Sequence, residues 1–207
     1  MGLSPSQQAC KNDPLSALKN DPPEKGELNE GFDFSFNPTI EKRVIEELRS
    51  LRFIEEHSNL VFLGPPGVGK THLAIALGVE AIKRGYVTYF NTVDEIARRL
   101  KTTKEEHFPK RLRTYRKAQL LIIDEVGYLP LDKEEANLLF QVINTRYEKG
   151  SIIITSNKSI IEWGGYLADP VLASALLDRL LHHSYVIKIK GKSYRIKDRL
   201  KYGARKK

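Results

Sequence analysis

Two runs of residues in this chain have the types and spacing for phosphate chemistry. Gly64-Pro65-Pro66-Gly67-Val68-Gly69-Lys70-Thr71 matches the pattern G-x-x-x-x-G-K-[ST] in full, between an apolar run at residues 60–63 and a helical pattern from residue 70. Glycines let such a backbone curl so that successive N–H groups face an anion, helped by the dipole of the helix that follows. In that frame Lys70 is expected to reach the β- and γ-phosphates of ATP, and the Thr71 hydroxyl to ligate magnesium; His72 closes the expected ATP-binding run. The second run, Leu120-Leu121-Ile122-Ile123-Asp124-Glu125, is an apolar strand ending in two carboxylates. Asp124 is expected beside the magnesium, with Glu125 placed to orient and deprotonate an attacking water. The pair predicts hydrolysis of ATP and argues against a simple nucleotide kinase.

Three further groups are weighed beside these. Ile152-Ile153-Ile154-Thr155-Ser156-Asn157 ends a third apolar strand in polar residues. Strand C-termini line the ligand crevice of a parallel sheet, so Asn157 is expected to contact the γ-phosphate or the water. Arg179 stands near a helix end, where an arginine caps carbonyls, pairs with Asp178, or projects to a neighbouring subunit. His182-His183 suggests a metal, but adjacent residues do not share a helix face and no Cys or acidic residue has ligand spacing to them. The pair reads as structural.

These residues need a scaffold of alternating strands and helices, and the chain supplies one. Helical periodicity covers residues 40–57, followed by a strand at 60–63, a helix at 70–84 stopped by Gly85, and a strand at 87–91. Thr92-Val93-Asp94-Glu95 is a capping box opening the next helix. A strand at 120–124, a helix at 134–148, a strand at 151–156, a helix from Asp169-Pro170 to about 181 and a strand at 185–189 complete the series. Apolar strands separated by helices predict a three-layer α/β/α fold with a parallel sheet. Residues 1–30 form an acidic leader without apolar periodicity, residues 31–199 the ATPase domain, and residues 200–207 a basic tail; Phe32-Asp33-Phe34-Ser35-Phe36 is expected to pack on the domain as an extended segment.

Composition narrows the class. Hydrophobic residues at 41% and charged residues at 29% describe a globular protein. The single Cys10 excludes an internal disulfide and fits a cytoplasmic setting, and no apolar run is long enough for a membrane helix. The net charge of +8 is uneven. Residues 98–117 hold nine Lys and Arg against two Glu, and residues 188–207 hold ten against one Asp. Arg98, Arg99, Lys110, Arg111, Arg113, Arg116 and Lys117 are the expected contacts to DNA, through phosphates and without strong sequence preference, while Tyr115 among them packs or stacks.

From about residue 32 to residue 199 the chain resembles the IstB-type ATPases, helper proteins of bacterial insertion sequences, which belong with the DnaC and DnaI helicase loaders in the AAA+ class. The likeness is carried by Phe32-Asp33-Phe34, Leu51-Arg52-Phe53-Ile54-Glu55, the loop with Phe62-Leu63 before it and His72-Leu73-Ala74 after it, Asp124-Glu125-Val126-Gly127-Tyr128-Leu129-Pro130-Leu131, the strand ending at Asn157, Asp178-Arg179-Leu180-Leu181-His182-His183 and Gly191-Lys192-Ser193-Tyr194-Arg195. The resemblance implies a P-loop fold of AAA+ type, Asn157 as the sensor of the γ-phosphate, and Arg179 as a finger acting on a neighbouring subunit. It further implies an ATP-dependent homo-oligomer on DNA that regulates a transposase. A replicative helicase as partner, or a slowly hydrolysing DNA scaffold, are the alternatives. The chain departs from the family at its ends: an acidic leader stands where the family has a helical N-terminal region, and no C-terminal helical lid is expected.

Overall fold

The computed structural model describes residues 42–191 and residue 193. The leader, the Phe32–Phe36 segment, the basic tail, Arg195 and the region where a lid would stand lie outside these residues.

The helix expected over residues 40–57 is two helices, α1 (Lys42–Arg49) and α2 (Arg52–Glu55). Leu51 between them has φ 63, a left-handed conformation that leucine disfavours, and is only 1% exposed. Burial of its side chain holds the backbone where a continuous helix cannot go. β1 (Asn59–Leu63) leads to α3 (Lys70–Lys83), β2 (Thr88–Thr92) and α4 (Val93–Lys101). Thr92 and Glu95 form the expected capping box at the start of α4.

A 3-10 turn (Glu105–His107) and α5 (Phe108–Lys117) follow, so the basic block is largely helical. Its five Lys and Arg among ten residues hide the helical pattern of the inner face, where Tyr115 is buried and Phe108 and Leu112 are partly buried beside it. β3 (Leu120–Val126), α6 (Lys133–Arg146), β4 (Ser151–Ser156), α7 (Trp163–Tyr166), α8 (Pro170–Leu181) and β5 (Ser184–Lys188) complete the described chain. Asp132 and Glu135 make a second capping box at α6, and Asp169 caps α8 through the Val171 and Leu172 amides.

The strands form one parallel sheet in the order β2-β3-β4-β1-β5. Successive side chains face opposite sides of a strand, and the two faces bury different sets. Leu60, Phe62, Leu120, Ile122 and Ile153 pack with α1, α2 and α3. Val61, Leu63, Leu121, Ile123, Ile152 and Ile154 pack with residues of α4, α5, α6, α7 and α8. β1 and β4 are buried along their whole length, which is why both read as continuous apolar runs.

Arg146 joins the second layer to the sheet. Its guanidinium is 1% exposed and donates to the carbonyls of Tyr115, Ala118 (2.8 Å), Gln119 (3.3 Å) and Ser151 (2.7 Å). Burial lowers its pKa to about 10, still far above neutrality. One cation thus ties the end of α5 to the starts of β3 and β4.

Candidate functional site

Strand order brings the chemistry together. β4 lies between β1 and β3, and all three are parallel, so the loop after β1, the carboxylates of β3 and the polar end of β4 emerge at one edge. The loop is pinned there by the Gly64 amide, which donates to the Ser156 carbonyl at 3.2 Å.

Gly67 and Gly69 have φ 79 and 99, conformations that side chains other than glycine rarely adopt, and they turn the chain into the N-terminus of α3. Lys70 is 8% exposed, and its Nζ donates to the carbonyls of Gly64 and Pro65, both at 2.8 Å. The ammonium is thereby held across the mouth of the loop. Thr71 Oγ1 donates to Asp124 Oδ1 at 3.0 Å. Asp124 is 5% exposed and takes a second hydroxyl, from Thr155, on the same oxygen.

At Asp124 and Glu125 the β3–β4 ladder slips register between Ile123 and Val126. The bulge separates the roles of two neighbouring carboxylates: Asp124 is drawn in against Thr71 and Thr155, while Glu125 is exposed with φ 63. The Glu125 amide donates to Thr155 Oγ1 at 3.3 Å. One hydroxyl therefore grips both members of the pair.

Pro66, Gly67, Lys70, Thr71, Glu125, Tyr128, Thr155, Ser156 and Asn157 line a cleft of about 110 Å³. Asn157 Oδ1 is buried with no hydrogen-bond partner among the described residues, an acceptor on the wall of a polar cleft. His72, expected in the ATP-binding run, follows Thr71 in the first turn of α3, half-buried, and burial lowers its pKa.

Arg179 is elsewhere. Its Nε donates to Asn144 Oδ1 at 2.7 Å, its Nη1 to the Ala175 carbonyl at 3.0 Å, and its guanidinium carbon lies 5.0 Å from the Phe140 ring centre. It does not line the cleft of its own chain.

The basic residues are placed as follows. Arg98, Lys110, Arg111, Arg113, Arg116 and Lys117 are exposed, and Arg99 is half-buried against the Tyr115 hydroxyl. Tyr115 is 4% exposed and belongs to the core, which removes it as a stacking platform. His182 and His183 do have an acidic neighbour, contrary to the sequence reading: Glu148 reaches them from the turn after α6.

Two contributors have weak sequence signals. Thr155 is one of the polar residues that end the buried apolar run of β4, which is the trace it leaves. Ser193 leaves none. Its hydroxyl would lie 2.1 Å from a Cβ added at Gly67, so the chain beyond β5 rests directly on the phosphate loop.

The family model described as "IstB-like ATP binding protein" matches residues 16–202. The chain belongs to that family. Among its curated relatives, the ATP-binding protein of insertion sequence IS21 from Pseudomonas aeruginosa is 51% identical over 175 residues, covering 84% of this chain and 66% of the relative. That of IS5376 from Geobacillus stearothermophilus is 53% identical over 169 residues, covering 81% and 67%. The chain thus spans about two thirds of the length of these IstB-like proteins. Among solved structures, the DnaC helicase loader aligns with a TM-score of 0.59 at 26% identity, covering 72% of this chain and 87% of that one. The IstB-like chain has the AAA+ P-loop fold, and it belongs to a family of ATP-binding proteins. No described helix is long and apolar enough to cross a membrane.

Proposed function

We propose that this IstB-like protein hydrolyses ATP with magnesium at the cleft between the loop and β3, assembles as an oligomer on DNA, and regulates the transposase of an insertion sequence. The observation that carries the catalytic part is the cleft wall itself: Lys70, Thr71, Glu125, Thr155 and Asn157 line one space, with Asp124 held behind it by two hydroxyls.

The loop amides and Lys70 bind the β- and γ-phosphates, the cation exchanging its carbonyl partners for phosphate oxygens. The Thr71 hydroxyl and Asp124 carboxylate are hard oxygen donors 3.0 Å apart, a donor set that suits magnesium. Bound there, magnesium neutralises charge on the phosphate oxygens. Glu125 accepts a proton as water oxygen bonds to the γ-phosphorus. The bond to the bridging oxygen breaks, and ADP leaves with that electron pair. Asn157 orients the water or the γ-phosphate through its amide, and Arg179 of a neighbouring subunit stabilises the departing charge.

Steady-state turnover tests the reading. Lys70→Ala is expected to abolish nucleotide binding or turnover, whereas Glu125→Gln retains binding and slows hydrolysis by at least about a hundredfold. Equal turnover by wild type and Glu125→Gln overturns it. A helicase-loading role is the second reading, favoured by the likeness to DnaC; co-purification with a transposase rather than a replicative helicase separates the two.

A further inference from the structure

We propose that Glu148, His182 and His183 form a binding site for a divalent transition-metal ion of the zinc class. One ligand atom from each lies within 4.8 Å of the others, and among the described residues this is the one such group of three His, Cys, Asp or Glu side chains. The three come from two elements distant in sequence. Glu148 stands in the turn after α6 with φ 56, a conformation glutamate disfavours, and the histidines close α8. The His182 and His183 rings lie with centres 4.2 Å apart, and His182 Nδ1 is 3.9 Å from Glu148 Oε1.

The donor set decides the ion. Two imidazoles and a carboxylate suit Zn²⁺, Co²⁺ or Ni²⁺, whereas Mg²⁺ and Ca²⁺ take oxygen ligands. Ligand atoms on one zinc lie about 3.3 Å apart, so the site closes by small side-chain rotations. Exposure leaves room for those rotations and a coordination position for water. The Tyr147 hydroxyl lies 2.9 Å from the same His182 Nδ1 and gives up that contact when the nitrogen takes the ion. The helix dipoles favour a cation here as well, because α6 and α8 both end at this point. A bound ion ties these two ends together, and the same helix pair holds Arg179 through Asn144 and Phe140. The site is separate from the nucleotide cleft, and the proposal does not rest on ATP hydrolysis.

The test uses the full chain, stripped of metal and free of nucleotide, titrated with Zn²⁺ against a chromophoric chelator while thermal unfolding is followed in parallel. One equivalent is expected to bind with a dissociation constant of about 10 µM or tighter, unaffected by millimolar Mg²⁺, and to raise Tm by a few degrees. Glu148→Gln and His183→Ala, both at exposed positions, should weaken binding at least about tenfold and lose the Tm rise while keeping the metal-free Tm. Co²⁺ should give the visible absorption of a low-coordinate nitrogen–oxygen site in the wild type alone. Absence of binding tighter than about 100 µM overturns the proposal. So does wild-type binding by a variant that carries both changes, which would assign the ion to another histidine or to Cys10.

Discussion

At the scale of single residues the site turns on Asp124 Oδ1, which accepts hydroxyl protons from both Thr71 and Thr155. A buried carboxylate is costly unless its oxygens are bonded, and these bonds also fix its direction. Thr155 therefore acts as a positioning residue, and it also receives the Glu125 amide. Thr155→Val keeps the shape of the side chain and removes the hydroxyl. The magnesium concentration giving half-maximal turnover is expected to rise about tenfold, as it does when outer-shell partners of metal ligands are lost. An unchanged magnesium dependence, measured by ATP turnover across a magnesium series, shows that Thr155 serves packing alone. Asn157 Oδ1 belongs to the same scale: it has no partner among the described residues, and a buried acceptor left so costs about 1–3 kcal/mol, a cost that binding a water or phosphate group would relieve.

At the scale of elements, α5 is attached on one side and free on the other. Tyr115 and the Arg146 carbonyl cage attach it; Lys110, Arg111, Arg113 and Arg116 are exposed. Changing those four to Ala together should weaken DNA binding and flatten the plot of log affinity against log salt by about 3.6, roughly 0.9 per lost phosphate contact. A titration at several salt concentrations with an unchanged slope would make this helix ordinary surface. The attachment has its own test. Arg146→Met leaves buried carbonyls without donors and should cost about 3 kcal/mol. For a domain of this size that is a fall in Tm of roughly 6–12 °C, measured by thermal unfolding. DNA binding by α5 should weaken in the same variant, because the helix loses its anchor.

At the scale of the whole molecule, the cleft is built by one chain, and Arg179 lies outside its lining. Asn144, Phe140 and the Ala175 carbonyl support the guanidinium at the surface of the α6–α8 pair. On the proposed reading a second subunit completes the site. Arg179→Ala subunits and Lys70→Ala subunits, each inactive alone, should regain turnover when mixed, since one lends the arginine and the other the intact loop. Specific activity of the wild type should rise with protein concentration. Failure of the mixture to recover any activity, together with turnover independent of concentration, assigns Arg179 to its own chain.

The chemistry-bearing residues of the cleft were legible in order because they sit at element ends, where local signals are strong. Glycine turns, an apolar strand ending in carboxylates and capping boxes are all properties of a few neighbouring residues. From them came the alternation of strands and helices and the α/β/α layering. Other features depend on distant contacts and had no local trace. Leu51 breaks a periodic helix because the core holds its side chain; α5 hides behind its charges, which outnumber Phe108, Leu112 and Tyr115 on its inner face. The bulge that divides Asp124 from Glu125 arises from pairing with β4, and Glu148 meets His182 and His183 only because α6 and α8 pack side by side. Local chemistry chose the elements; the strand order and the helix packing decided which of their ends would meet.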